Sequence, residues 1–418
     1  MPKNNPNKYA EVYSVMSDIN DESLQKLSPN EQPLAKRQPL NMYIKASTVE
    51  KRWQAIDCEQ AKQQLLDQTT ERCMSMYQKN IENFIGTVKL PVGIAGPLRV
   101  NGLFAQDDYF VPLATTEAAL VASYNRGALL ISEAGGCSAM LLNEGVCRTP
   151  GFAFETLVQA GQFVAWATTQ IDTFTEITES TSNHLTLKDL KINIEGNHVY
   201  LIFDYLTGDA SGQNMVTIAT NAVLEYITEH SPTKAKYSFL DANLSGDKKA
   251  TMQSLNGVRG KKVTAEVHIS AELVKKRLHT TPERMADFWR MSSVGGVLSG
   301  SVGVQGHYAN GLAALYIACG QDAACVAESA VGVTRMELND DGSLYASVTL
   351  PNLMVGTVGG GTGLPSQQAN LQLLGLAGNG NARALAEVCA GLCLAGELSM
   401  IGAFCAGHFA KAHRKLAR

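Results

Sequence analysis

Hydrophobic and polar positions change period several times along this 418-residue chain. Residues 1 to about 82 are polar and mostly helical in pattern, with Pro29 to Leu40 as a loop. Glu82 to Gly102, ENFIGTVKLPVGIAGPLRVNG, is rich in Gly and Pro and predicts strands and turns. Thr115 to Glu133 predicts a helix opened by threonine caps. Between about 150 and 240 the texture changes. A helix over Ala153 to Ile171, an alternating strand over His198 to Tyr205 and a helix over Met215 to His230 make a βαβ-like block, which predicts an inserted small domain. From residue 241 the chain is Gly/Ala-rich, and no charged residue occurs from Gly342 to Ala382. A long apolar helix follows, Ala382 to Ala412. Glu387 and Glu397 interrupt it and large hydrophobes do not dominate it, so it predicts a buried core helix and not a membrane span.

The length allows two or three domains around a large core. Apolar residues make up 45% and charged residues 18%, with a formal net charge of -4. No basic stripe points to nucleic acid, and no block of like charge points to an interaction tail. Nine cysteines, none in a CxxC pair, read as reduced thiols of a cytoplasmic protein. The start, Met1 to Tyr43, is polar, so no signal peptide is expected.

Two carboxylates stand alone in charge-poor stretches. Asp322 is the one formally charged residue between Met291 and Val326, and Glu117 the one between Tyr109 and Asn125. Asp322 falls in a helix-like run, Gly311 to Ala330, whose helical spacing places it among Ala318, Cys319, Cys325 and Val326. Both are expected to be buried, as partners in an ion pair or as acid/base groups. Asp247-Lys248-Lys249 is a surface turn or a lysine aimed at a substrate oxygen. Arg148 is a domain-boundary salt bridge or a carboxylate clamp. His413 is a tail residue or a proton donor on a flap; His408 reads as structural. Asp209-Ala210-Ser211-Gly212-Gln213-Asn214 follows a strand and opens a helix, which suits an ordinary cap or a phosphate or ribose. Standard dinucleotide, phosphate-loop, serine-hydrolase and metal-ligating spacings are missing.

Taken together, several of these segments resemble one family. Glu82-Asn-Phe-Ile-Gly86, Pro91 to Pro97, Ala114-Thr-Thr-Glu117, Asp247-Lys-Lys249, Gly320-Gln-Asp322, Gly356 to Thr362, Ala395 to Ser399 and Gly407 to His413 are similar to hydroxymethylglutaryl-CoA (HMG-CoA) reductase, in order, from about residue 80 to the end. The Asp-Lys-Lys triplet resembles the class I type, without the membrane region of the eukaryotic enzymes.

The resemblance implies an α+β fold. A helical segment (1–82) joins a large domain (83–149 and 241–418) around a long central helix, with a ferredoxin-like NAD(P)-binding domain inserted at 150–240. It implies four-electron reduction of HMG-CoA to mevalonate and CoA with two NADPH, in the cytoplasm, by a homodimer or homotetramer with shared active sites. Lys248 is implied as the cation that stabilises the developing oxyanion and Asp322 as the charge that keeps it protonated. His413 is implied as the acid for the CoA thiolate, and Glu117 as the acid for the aldehyde step. Arg148, Asp247, Lys249, Asn243 and Arg290 are implied at the substrate, Ser123, Asn125 and Arg126 at CoA, and Asp209 to Asn214 with Asn183 at the cofactor.

Several positions depart from the family pattern. Ser211 replaces a methionine, Arg290 a lysine and Asp241 a serine, and Asn183 lies near an expected arginine, for which Lys188 or Lys191 could substitute. NADH use therefore stays open beside NADPH. The phosphorylatable serine that follows the histidine in animal enzymes is also missing. The alternatives are catabolic mevalonate oxidation with NAD, or a non-redox CoA-ester-binding paralogue.

Overall fold

The computed structural model describes residues 43–408. The predicted Pro29–Leu40 loop, the last predicted residues of the long helix and His413 lie outside the described residues. Helices α1 (Ala46–Ile56), α2 (Glu59–Leu65) and α3 (Gln68–Cys73) come first. Buried Trp53 donates its indole N–H to Ile85 O at 2.8 Å, and buried Arg52 donates to Phe84 O at 2.9 Å. These bonds tie α1 to the ENFIG segment, and Val49, Trp53 and Phe84 share a small core of their own.

Strands β1 (Val92–Gly102) and β2 (Gln106–Ala114) form an antiparallel hairpin. Helix α4 (Leu120–Glu133) leads to β3 (Cys137–Arg148). Next come β4 (Gly151–Ala153), α5 (Leu157–Ala167), α6 (Ile171–Thr181), β5 (Thr186–Glu195), β6 (His198–Leu206), α7 (Gln213–His230) and β7 (Tyr237–Phe239). The order β5–β6–β4–β7, antiparallel at every pairing, is the ferredoxin-like arrangement. The predicted helix from Ala153 starts instead at Leu157. Residues 151–153 are taken up by β4, and Thr156 caps the helix by accepting from Gln159 N.

The chain then returns through α8 (Met252–Asn256), β8 (Gly260–Ile269), α9 (Ala271–Leu278), α10 (Pro282–Ser299), β9 (Gly303–Val304) and α11 (Tyr308–Ala318). It finishes with α12 (Val326–Ser329), β10 (Gly332–Leu338), β11 (Leu344–Leu353), α13 (Pro365–Leu373) and α14 (Ala382–Cys405). The large sheet runs β3–β8–β11–β10–β9. Strand β3 belongs to both sheets: Ser138 to Gly145 pair with β8, whereas Val146 to Arg148 pair with β6.

Helix α14 is long and apolar enough to cross a membrane, but most of it is buried inside the protein, against α4, β8, β11 and β3. Small residues allow this. A Cβ on Gly127 of α4 would collide with the Ala395 backbone, and one on Gly396 with the Tyr124 ring. The helix stops at Cys405, short of the predicted Ala412. Gly407 turns left-handed (φ 67), and His408 N returns to Ala403 O at 3.0 Å, closing the last turn.

Candidate active site

Lys248 sits in the turn before α8 with a left-handed backbone (φ 56). Its ammonium lies 2.9 Å from Asp322 Oδ2, and that bond raises the lysine pKa above its ordinary value. The structure corrects the expected setting of Asp322. Helix α11 ends at Ala318, Gly320 turns left-handed (φ 69), and Asp322 caps a short 3-10 turn by accepting from Ala324 N. Its side chain is 39% exposed, so it is not a buried charge. Gln213 donates to the same Oδ2 at 3.3 Å and to Cys325 Sγ at 2.9 Å.

Beneath Lys248 the neighbouring turn is pinned by arginines. Arg148, buried, donates to Asp241 Oδ2 at 2.6 Å and to Asp247 Oδ2 at 3.3 Å, with Thr217 Oγ1 at 3.1 Å. Buried Arg259 holds the other Asp247 oxygen and lies 3.4 Å from Glu328, a carboxylate with no exposed surface. Burial alone would push the Asp247 pKa up, but the two guanidinium groups outweigh it and hold it below the usual range. Lys249 donates to Asp247 O at 2.9 Å, and left-handed Asn243 (φ 66) donates its N–H to Asp241 Oδ1.

Glu117 is not on a helix as predicted. Thr115 Oγ1 accepts from Glu117 N at 3.0 Å, and Ala119 is left-handed (φ 70), so α4 begins only at Leu120. The Glu117 side chain is exposed, not buried, and its carboxylate accepts from Asn310 Nδ2 at 2.7 Å. The charge-poor stretches misled because they are apolar from backbone packing and loop contacts, whereas the buried carboxylates lie elsewhere: Glu328, Glu387 and Glu397.

Glu117 stands at the rim of a cleft of about 520 Å³ that also takes in Ser123, Arg126, Trp289, His307 and Glu397. Ser123 and Arg126 both bond Ser399, the latter through Nε and Nη2. Asn125 accepts from Gly96 N at 3.0 Å and so braces β1. Arg290 is exposed and paired with Asp287 on its own helix. His307 stacks on Tyr124 with centroids 4.9 Å apart, and burial lowers its pKa against the opposing pull of Glu117, so the ring is neutral at pH 7.

The turn Asp209–Gly212 precedes α7, whose first turn has no side-chain cap; Gly212 is left-handed (φ 76). Ser211 N and Asp209 O lie so close to Gly356 that a Cβ there would meet them at 2.6 and 2.8 Å. Left-handed Gly359 and Gly360 border the same place, with open space where their side chains would be. Uncapped helix N–H groups beside a glycine loop fit a diphosphate, the charged part of a nicotinamide dinucleotide. Asp209 itself turns inward and accepts from Gly380 N and Ala382 N, capping α14. Asn183 lies in an exposed turn; Lys188 donates to Asn143 and Glu144 O, and Lys191 pairs with Asp189.

Lys248 and Asp322 are thus brought together, as are Arg148 and Asp247. Among the described residues no hydrogen bond or ion pair joins Glu117 to Lys248 or Asp322. Sequence reasoning missed Asn310, His307, Arg259 and the site role of Glu397. The signal available was a pair of carboxylates, Glu387 and Glu397, inside a largely apolar helix.

A carboxylate-held ammonium, two buried arginines at the Asp247 turn and a glycine-lined helix start are carried on an α+β frame, and the class of protein with this frame is an oxidoreductase. The family model described as hydroxymethylglutaryl-coenzyme A reductase matches residues 48–418. The 3-hydroxy-3-methylglutaryl-coenzyme A reductase of Pyrococcus horikoshii is 43% identical over 347 residues, covering 81% of this chain and 84% of that protein. The one from Haloferax volcanii is 44% identical over 345 residues, covering 81% and 85%. The class II enzyme of Streptococcus pneumoniae, solved bound to NADPH in open conformations, matches the fold with a TM-score of 0.64 at 21% identity, over 85% of this chain and 96% of that one. The chain belongs to the HMG-CoA reductase family.

Proposed function

We propose that the chain reduces HMG-CoA to mevalonate and free CoA, with Lys248, Asp322, Glu117 and His413 as the working groups. Asp209 to Asn214 and the Gly356 to Thr362 loop would hold NADPH, which would supply a hydride for each of the two reductions. The Lys248 ammonium is the observation that carries the reading: Asp322 holds it at 2.9 Å and keeps it charged, so it can stabilise negative charge on the thioester oxygen. Arg148 grips the free carboxylate of the substrate, with Lys249 nearby and Asp247 holding the Arg148 guanidinium. His413 protonates the departing CoA thiolate, whose thiol has a pKa near about 8.5, and Glu117, steadied by Asn310, gives its proton to the aldehyde oxygen.

Further parts of the reading are the class I type, from Asp247-Lys248-Lys249, and a cytoplasmic location, from the reduced thiols. A homodimer or homotetramer completes each site, because Glu117 and Lys248 stand in separate clusters of one chain. The inserted unit at about 150–240 is the cofactor domain. Purified protein given HMG-CoA oxidises about two NADPH per CoA released, the ratio that a two-step reduction demands. Thiol release without cofactor oxidation would overturn the redox reading. Comparing NADPH with NADH at subsaturating concentration measures how far the neutral Asn183 relaxes the choice of cofactor.

A further inference from the structure

The cleft floor contains a carboxyl group with no cation. Glu397 on α14 is 1% exposed, and among the described residues it forms no ion pair. Its donors are neutral: His307 N at 2.6 Å and Gly306 N at 3.1 Å to Oε1, and Thr334 Oγ1 at 2.8 Å to Oε2. The titratable groups around it are Cys393 on its own helix, Tyr124 on α4, Tyr308 on α11 and His307 just before α11. Burial raises the first three and lowers His307, so all four are neutral at pH 7. Across the cleft stand Glu117 and Arg126, the latter occupied with Ser399.

The turn that Glu397 holds leads directly into α11. Tyr124 Oη donates to His307 O at 2.5 Å and accepts from Gly311 N at 2.8 Å. Asn310 lies between those two anchors and donates to Glu117. We propose that Glu397 is a positioning residue: its carboxyl fixes the Gly306–His307 turn and, through Asn310, the orientation of Glu117 at the cleft. This inference rests on the reductase reading above.

Ionised, both Glu397 oxygens accept. Protonated at Oε2, the group donates toward Thr334, which reverses that bond and frees the threonine hydroxyl hydrogen for Tyr308 Oη, 2.8 Å away. Burial pushes the Glu397 pKa up to about 7, against the lowering effect of Thr334, Gly306 and His307, so the reversal falls in the working range.

The test is Glu397→Gln, which keeps shape and an acceptor but cannot titrate. In the first measurement, Tm of both proteins is followed as pH rises. A folded-state pKa above the ordinary 4.5 means the folded chain holds the extra proton between 4.5 and about 7. Wild-type stability therefore falls relative to the variant across that window and runs parallel above it. In the second, kcat is followed against pH: the wild type shows an inflection near 7 that the variant lacks, with kcat reduced more than KM is raised. A Tm difference that ignores pH, or an inflection kept by Glu397→Gln, overturns the proposal. Should the variant not fold, Thr334→Val removes one donor and must move the inflection to higher pH; an unmoved inflection overturns it equally. A wild type that does not reduce HMG-CoA defeats the reductase reading, while the Tm comparison still decides whether Glu397 titrates.

Discussion

At the residue scale, Lys248 and Asp322 are both partly exposed, so their bond contributes little to stability, and under the proposed function its value is chemical. Lys248→Ala should lower kcat by about 10²–10³-fold or more, the scale for removing one oxyanion stabiliser, with the circular dichroism spectrum unchanged. His413→Gln should lose thioester reduction yet largely keep the reduction of added mevaldehyde; equal loss of both would count against its role at the thiolate. Arg259 is the opposite case. It is 2% exposed, and both Glu328 oxygens lack a hydrogen-bond partner, so Arg259→Met strands a buried carboxylate. Its removal should cost about 3–5 kcal/mol in urea unfolding and loosen the Asp247 turn. Burial already raises the Glu328 pKa, and loss of the arginine raises it further, so the variant loses more stability at neutral pH than in acid.

Elements were legible where periodicity was strong. The alternating strand at His198 appeared with one added residue, Leu206, and the helix predicted from Met215 opened two residues earlier, at Gln213. Misses fell where single backbone conformations decide. Left-handed Ala119 and Gly320 separate Glu117 and Asp322 from the helices that their neighbours' composition suggested. Nothing in helical spacing announces a non-glycine residue at positive φ. Arg259 and Asn310 escaped notice because their roles arise from contacts across more than ten residues of chain, to Asp247 and Glu117. At this scale Gly127 is the sharpest test. Gly127→Ala forces α4 away from the Ala395 backbone, which cannot yield as a side chain would, and should cost about 1–3 kcal/mol or more by thermal unfolding.

On the scale of the whole molecule, α10 carries Met291, Val294, Val297 and Leu298 with 60–83% of their surface exposed. Large apolar side chains grouped along one helix mark an association surface more readily than isolated ones do. Under the dimeric reading, Leu298→Glu should weaken self-association by roughly 30-fold, the effect of losing one anchor of about 2 kcal/mol. Sedimentation velocity would show it, with activity falling in step at low protein concentration. A sedimentation profile unaltered by the substitution would remove α10 from the contact.

Helix α14 meets three different parts of the protein along its 24 residues, a span of about 36 Å at about 1.5 Å per residue. Asp209 receives the N–H groups at its start, Glu387 takes those of Leu103, Phe104 and Ala105, and Glu397 takes the Gly306–His307 turn. These attachments are set by angle as well as distance, so the helix works like a camshaft whose lobes must stay in phase. One residue inserted after Gly391 would turn everything beyond it by about 100°, leaving Asp209 and Glu387 seated while Glu397 and Ser399 point elsewhere. Such an insertion should abolish activity even where the chain still folds, whereas one placed in the exposed Asn339–Gly342 turn should pass almost unnoticed.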